Sequence, residues 1–214
     1  MNKSTMRLEV PFITPIAIFD FSYFLDHMRD VFKNTEMGTV PEAGYKTTLN
    51  LNDYWLTGGS EHIEDLGKGE ISELLHQKIL ESSSEFLTAI GVDLTIKEPV
   101  LKACWLNEMY AGTEHGFHSH TGSLLSGCFY VDVPKEGGKI SFLSPLNRWD
   151  KVNVPIKNLT NFNASICEIV PQEGELFLWE SYLMHGVQAS NFEGSRRCLA
   201  FDIFLKNKNL EDLK

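Results

Sequence analysis

Long apolar runs are missing from this sequence. No stretch approaches the roughly 20 apolar residues of a membrane-spanning helix. The opening Met-Asn-Lys-Ser-Thr-Met-Arg-Leu-Glu-Val lacks the apolar core of a signal peptide. Positive charge is scarce as well: 19 Lys and Arg stand against 29 Asp and Glu, a formal net charge of -10. An acidic balance argues against nucleic acid as the main partner, because phosphate neutralisation needs a basic face. Cysteine is sparse, and Cys104, Cys128, Cys167 and Cys198 show no CxxC or zinc-ribbon spacing. Each lies in an apolar or strand-like context and reads as a buried free thiol, which fits a reducing cytoplasm. No internal repeat or low-complexity tract is visible.

What is present is an ordinary globular composition, 43% apolar and 22% charged over 214 residues. That length can bury a core without staples. The expectation is one domain over 1–214, with a helical N-terminal layer and loops over 1–98 and a β core over 99–206. Pro11 and Pro15 bar a helix interior from residues 8–18 and suit an extended edge segment. Asp20 can cap a helix to about residue 33, in which Phe21, Phe24, Leu25, Met28, Val31 and Phe32 recur at helical spacing. The glycine-rich stretch 34–69 reads as loop with one short strand near Tyr45–Leu51. In a second helix Ile71, Leu74, Leu75, Ile79, Phe86, Leu87 and Ile90 share a face, and Gly91 stands at the C-terminal cap. His76 falls off that face and is expected in solvent, as are His27 and His62.

After Pro99, short extended runs alternate with turn residues. The candidate strands are 101–110, 116–120, 124–133, 138–143, 165–170, 174–180, 184–189 and 196–205, a spacing that indicates an all-β sandwich or barrel. Gly137-Gly138 and Pro171-Gln-Glu-Gly174 read as hairpin connections. Residues 144–164 read as a long loop, a place for a lid or a substrate-selecting element. Phe142, Phe177 and Trp179 read as core.

Three of the seven histidines fall together in His115-Gly-Phe-His118-Ser-His120. On a strand, residues two apart point to one face, so His118 and His120 project together and His115 does not. His-x-Asp/Glu with a distant second histidine is the facial triad of non-haem Fe(II) oxygenases, which leaves one face of the octahedron open. The distant histidine has a candidate in His185, preceded by a glycine turn and the apolar run Gly174-Glu-Leu-Phe-Leu-Trp. Arg196 follows in Arg-Arg-Cys-Leu-Ala-Phe-Asp-Ile. Alternation there places Arg196, Cys198, Ala200 and Asp202 on one face, small or polar enough to line a cavity. Arg197, Leu199, Phe201 and Ile203 fall on the other. Arg196 is thereby placed to grip a carboxylate bidentately, and a register slip of one residue would give that position to Arg197.

These features resemble the Fe(II)/2-oxoglutarate-dependent dioxygenases, and among them the small oxygenases with an HxH…H…R motif common in phage and marine bacteria. The resemblance rests on His118-Ser-His120, Leu125-Ser-Gly-Cys-Phe-Tyr130, Gly138-Lys-Ile-Ser-Phe142 with Pro145, Pro171-x-x-Gly174, His185-Gly-Val and Arg196. Trp105-Leu-Asn107 and Phe12-x-Thr-Pro15 add to it. It implies a mainly β fold, a double-stranded β-helix (jelly roll) with an N-terminal layer of two α-helices. It implies Fe(II) held by His118, His120 and His185, and 2-oxoglutarate bound to the metal with its distal carboxylate on Arg196. The implied reaction decarboxylates 2-oxoglutarate to succinate and CO2 and hydroxylates a small-molecule or protein side-chain substrate. The implied setting is the cytoplasm of a bacterial or phage-infected cell.

His120 departs from the pattern, which has Asp or Glu there. Either three histidines hold the metal or His120 stands outside the coordination sphere. Asn107 shares a face with Trp105, and the pair could line the pocket or belong to the core. Ser126 and Tyr130 share a face, and Tyr130 could donate to the cosubstrate carboxylate or be an internally bonded barrel tyrosine. A rival reading is a non-catalytic cupin-like module that binds a metal or a sugar. Another is a purely structural jelly roll, which would have no need of inward histidines and an arginine at these spacings.

Overall fold

The computed structural model describes residues 12–40, 43–49, 64–146, 155–160 and 162–208. Two antiparallel sheets face one another. The first orders its strands β1 (Ile16–Asp20), β9 (Glu175–Glu180), β6 (Leu125–Asp132), β11 (Arg196–Asn207), β4 (Lys97–Met109), β3 (Lys46–Thr47) and β2 (Gly38–Thr39). The second orders β5 (His115–His118), β10 (His185–Val187), β7 (Ile140–Leu143) and β8 (Ile166–Ile169). Helices α1 (Leu25–Asn34) and α2 (Glu70–Ala89) cover the outer face of the larger sheet. This is the jelly roll with two N-terminal helices. No helix among the described residues is long and apolar enough to cross a membrane.

Strand alternation sorts the larger sheet into two cores. Phe129, Leu176, Leu178, Leu199, Phe201 and Ile203 pack outward against Met28 and Phe32 of α1 and Leu75, Ile79, Phe86 and Leu87 of α2. Cys128, Tyr130, Phe177, Trp179 and Cys198 point inward toward Ile140 and Phe142 of the smaller sheet. Burial of two apolar layers of this kind supplies most of the driving force for folding. Gly127 allows the outer layer to close, because a Cβ there would collide with the Phe201 ring and reach within 2.8 Å of Leu178 Cδ2.

All eight expected strands form, with shifted ends. β4 starts at Lys97, ahead of Pro99, because its first residues pair with the far end of β11, Lys97 opposite Asn207. Pro99 is tolerated there because β3 reaches β4 only at Asn107 and Glu108, which leaves the earlier part of β4 at an edge. β1 takes the edge of the larger sheet, pairing only with β9. Asp20 does not cap the helix: its Oδ1 accepts from Ser22 N–H at 2.9 Å in a local turn. A 3-10 turn at Ser22–Phe24 comes first, and the cap positions of that turn and of α1 fall on Phe21 and Phe24. Gly91 closes α2 at φ 87°. The expected strand near Tyr45–Leu51 is realised as β3, while residues 50–63 and 147–154, in the two long loops, lie outside the described residues.

Two turns expected as hairpins are not hairpins. Gly137-Gly138 joins β6 to β7, and Pro171–Gly174 joins β8 to β9, so each carries the chain from one sheet to the other. The local turn chemistry is nevertheless present. Gly137 N–H donates to Pro134 O at 2.7 Å, and Gly174 adopts φ 86° while its N–H donates to Tyr130 O at 2.9 Å. A jelly roll winds alternately between its sheets, and a tight turn alone does not say which sheet receives the next strand. Cys167 departs from the expectation of burial: it is exposed, since β8 is the edge of the smaller sheet, whereas Cys104, Cys128 and Cys198 are buried. His27 and His76 are half-buried rather than solvated. His27 Nε2 lies 2.7 Å from Leu66 O and 3.3 Å from Ser72 Oγ. His62 lies outside the described residues.

Candidate functional site

The site lies between the sheets at one end of the roll. β5 and β10 pair with His118 directly opposite His185, and His185 also faces Phe142 across β10 and β7. β5 ends at His118, so His120 sits just past the strand, where its backbone N–H donates to Ser181 O at 3.1 Å. The three rings converge, with centroids 4.4 Å apart for His118–His185 and 5.1 Å for each of the other two pairs. One ring nitrogen from each lies within 4.8 Å of the others.

Hydrogen bonding fixes which nitrogen each ring offers. His118 Nδ1 lies 2.8 Å from Gly116 O, and His185 Nδ1 lies 2.9 Å from Leu183 O. A carbonyl oxygen only accepts, so both Nδ1 atoms carry the hydrogen and both lone pairs sit on Nε2. His120 Nδ1 lies 2.8 and 2.9 Å from the two oxygens of Asp202, and its Nε2 is buried without a hydrogen-bond partner. Burial holds His185 down to about 3, with the charge of His118 adding to the effect. Burial lowers His118 too, against the Gly116 carbonyl, which raises it. Neutral imidazoles with Nε2 free are the state a metal requires.

Walls of the site come from residues of both sheets. Trp105 stacks on His120 at 5.7 Å and 20°. Trp179 meets His185 edge-on at 4.8 Å, so a residue expected only in the core also lines the cavity. His115, out of step with the other two, stacks on His118 at 4.2 Å and on Tyr45 at 5.1 Å. It is half-buried on the cavity wall rather than at the surface, and burial first, then the charge of His118, holds it down to about 3.

Arg196 enters the same cavity from β11, only 2% exposed. Its guanidinium carbon stands 5.0 Å from the Tyr130 ring centre, Nη1 is 3.6 Å from Met109 Sδ, and Nε has no hydrogen-bond partner. Burial works against its charge, but Cys198, Tyr130 and Cys128 together hold its pKa above the ordinary value. A hydrogen bond from Cys128 brings the Cys198 thiol to about 7, while burial pushes Cys128 well up. Arg197 turns the other way, bonding Glu108 Oε1 at 2.7 Å and Asp132 Oδ2 at 3.5 Å. Tyr130 Oη is buried without a hydrogen-bond partner beside Arg196. Ser126 lines the cavity, with its Oγ 2.9 Å from Ser181 Oγ and 3.0 Å from Asp202 Oδ1. Asn107 also lines it. With its amide turned to satisfy both groups, its oxygen accepts from Trp105 Nε1 at 3.2 Å and its nitrogen donates to Thr47 Oγ1 at 2.8 Å.

The donor set fits an iron and an oxo acid. Three imidazole nitrogens on one side suit Fe(II). The unsatisfied His120 Nε2, Tyr130 Oη and Arg196 Nε line one cavity, and buried polar groups of this kind call for a polar ligand. Sequence reasoning placed Asp202 on the cavity face but assigned it no role, it set His115 apart from the facing pair, and it placed Trp179 in the core alone. Parity identified the face; it could not supply the cross-sheet partners.

Fold and site together define a jelly roll with a candidate three-histidine metal site and a buried arginine in one cavity. Residues 103–202, the segment from β4 to β11 that builds the site, match the family described as "Putative 2OG-Fe(II) oxygenase". Over that segment the chain is similar to the 2OG-Fe(II) oxygenases. No curated protein matches the sequence. Solved structures share the fold. An oxidoreductase of the 2OG-Fe(II) oxygenase family from Burkholderia pseudomallei aligns at TM-score 0.57 and 12% identity, over 88% of this chain and 84% of that one. A Pseudomonas putida prolyl-4-hydroxylase aligns at 0.55 and 13%, over 89% and 92%. HygX from Streptomyces hygroscopicus, solved with nickel and 2-oxoglutarate bound, aligns at 0.56 and 11%, over 89% and 83%.

Proposed function

We propose that this enzyme hydroxylates its substrate, a small molecule or a protein side chain, while converting 2-oxoglutarate to succinate and CO2. His118, His120 and His185 hold Fe(II), and Arg196 binds the distal carboxylate of 2-oxoglutarate. The observation that carries this reading is one cavity holding both three converging imidazoles and a buried arginine that no carboxylate pairs among the described residues. A metal- or sugar-binding module without catalysis would have no use for that arginine.

When bound, Fe(II) couples the reduction of dioxygen to oxidation of 2-oxoglutarate, so that one oxygen atom enters succinate and the other a substrate C–H bond. The chain's own residues position and exclude. Arg196, nearly inaccessible to water, offers a two-pronged donor to one carboxylate at low solvation. Tyr130 Oη beside it can donate a further hydrogen bond to that carboxylate. Asn107 and Ser126 line the cavity, where they would flank the bound cosubstrate. Trp105 and Trp179 clamp His120 and His185 in fixed ring orientations and keep water from the apolar side. The domain is one unit over 1–214, its helical layer bracing the jelly roll of 99–206, and it works in the cytoplasm of a bacterial or phage-infected cell.

Succinate formation tests the reading. Turnover of 2-oxoglutarate is expected only with Fe(II) present and is expected to vanish in His185→Ala. Undiminished turnover in that variant would sink the assignment.

A further inference from the structure

We propose that Asp202 is the positioning residue of the metal centre, returning through His120 the negative charge that is lost where a histidine stands in a carboxylate's place. The proposal rests on His118, His120 and His185 being the ligands. A neutral imidazole in place of Asp or Glu leaves a bound Fe(II) one unit more positive. Of the three rings, two give their Nδ1 hydrogen to backbone carbonyls, Gly116 O and Leu183 O. Only His120 gives it to a carboxylate, and it meets both oxygens of Asp202, at 2.8 and 2.9 Å. The one histidine at the carboxylate position is therefore the one with an anion behind it.

Asp202 is built into place. It is fully buried, its Oδ1 lies 3.0 Å from Ser126 Oγ and 3.4 Å from Ser123 Oγ, and β6 and β11 pair Ser126 opposite Asp202. His120 in turn is held by Trp105 stacked on its face and by its own backbone bond to Ser181 O. With Nδ1 donating to Asp202, the His120 lone pair falls on the buried, unpartnered Nε2 that faces the cavity. A carboxylate behind a ligating imidazole fixes its tautomer and raises its basicity. Asp202 and Arg196 also share one face of β11. The strand that anchors the cosubstrate thus carries the charge that balances the metal.

Co(II) titration of the metal-free full chain, followed by its visible absorption band, tests this with His185→Ala, Asp202→Asn and Asp202→Glu beside the parent. His185→Ala reports on the ligand set and is expected to lose the band; parent-like binding there overturns the ligand set and the proposal with it. Asp202→Asn keeps a hydrogen-bond acceptor but removes the charge. It is expected to bind Co(II) about 10- to 100-fold more weakly with a displaced band and an unchanged circular dichroism spectrum. Asp202→Glu is expected to recover part of the loss. Parent-like affinity and band position in Asp202→Asn overturn the proposal while leaving the ligand set standing. Should Asp202→Asn fail to fold, nitrogen-15 spectra of the Zn(II)-loaded parent read the same point. A hydrogen on His120 Nδ1 is expected, and a hydrogen on Nε2 overturns the proposal.

Discussion

Arg196 lies over Tyr130, its guanidinium carbon 5.0 Å from the ring centre, while Arg197 beside it reaches the opposite face to bond Glu108 at 2.7 Å. The pair separates a binding role from a structural one. Charge-assisted hydrogen bonds in a buried site contribute about 1.5–3 kcal/mol each, or roughly 10- to 100-fold in affinity. Arg196→Ala should therefore raise the KM for 2-oxoglutarate by at least about tenfold. Arg197→Ala should leave it unchanged and cost at most about 1 kcal/mol of stability, since Arg197 pairs at a part-exposed site. Steady-state kinetics on both variants decides between them, and an unchanged KM in Arg196→Ala would remove the assigned role.

Much of this arrangement is legible in the residues, because a period of two is enough to sort β11. Arg196, Cys198 and Ala200 line the cavity, while Leu199, Phe201 and Ile203 join the outer core. The facing of His118 and His120 is also legible, although for a partly different reason: β5 ends at His118, and His120 is aimed by Ser181 and Asp202 rather than by strand parity. What local pattern cannot show is which sheet a turn feeds. That is why the turns at Gly137 and Gly174 read as hairpins and join different sheets. The same limit hid the partner of His120, 82 positions away in sequence.

Gly127 should tolerate no side chain. It sits opposite Phe201 in β6, and a Cβ would strike that ring and come within 2.8 Å of Leu178 Cδ2. Both neighbours belong to the fully buried layer under the helices, so neither can turn out to solvent. Overpacking of this kind typically costs about 1–3 kcal/mol. Gly127→Ala should lower the urea midpoint accordingly, and a parent-like midpoint would show that the layer has slack.

Thiol reactivity should separate the four cysteines by place in the fold. Cys167 is exposed on β8, whereas Cys104, Cys128 and Cys198 are buried. Cys198 is the most acidic of the buried pair it forms with Cys128, at about 7, but a thiolate reacts only where a reagent can reach it. Iodoacetamide at neutral pH should label Cys167 on the folded protein and the other three only after unfolding. Mass spectrometry of the labelled peptides checks the order; early labelling of Cys198 would mean that the cavity opens to small electrophiles.

Acid should destabilise the metal-free protein through its cavity histidines. His115 and His185 are both held down to about 3 from an ordinary 6.5, in each case by burial first and then by the charge of His118. Between these values the unfolded chain binds protons that the folded chain refuses, so unfolding takes up protons and stability falls as pH falls. The contribution is complete above about pH 6.5 and declines until about pH 3, where the folded state also accepts the protons. Each such histidine adds a slope of about 1.4 kcal/mol per pH unit inside that window. His115→Phe keeps a ring to stack between Tyr45 and His118 but cannot titrate. Its urea midpoints between pH 4 and 7 should therefore fall less steeply than those of the parent, by one proton's share. An unchanged slope would mean that His115 takes up its proton without unfolding, and that the wall it forms opens to water.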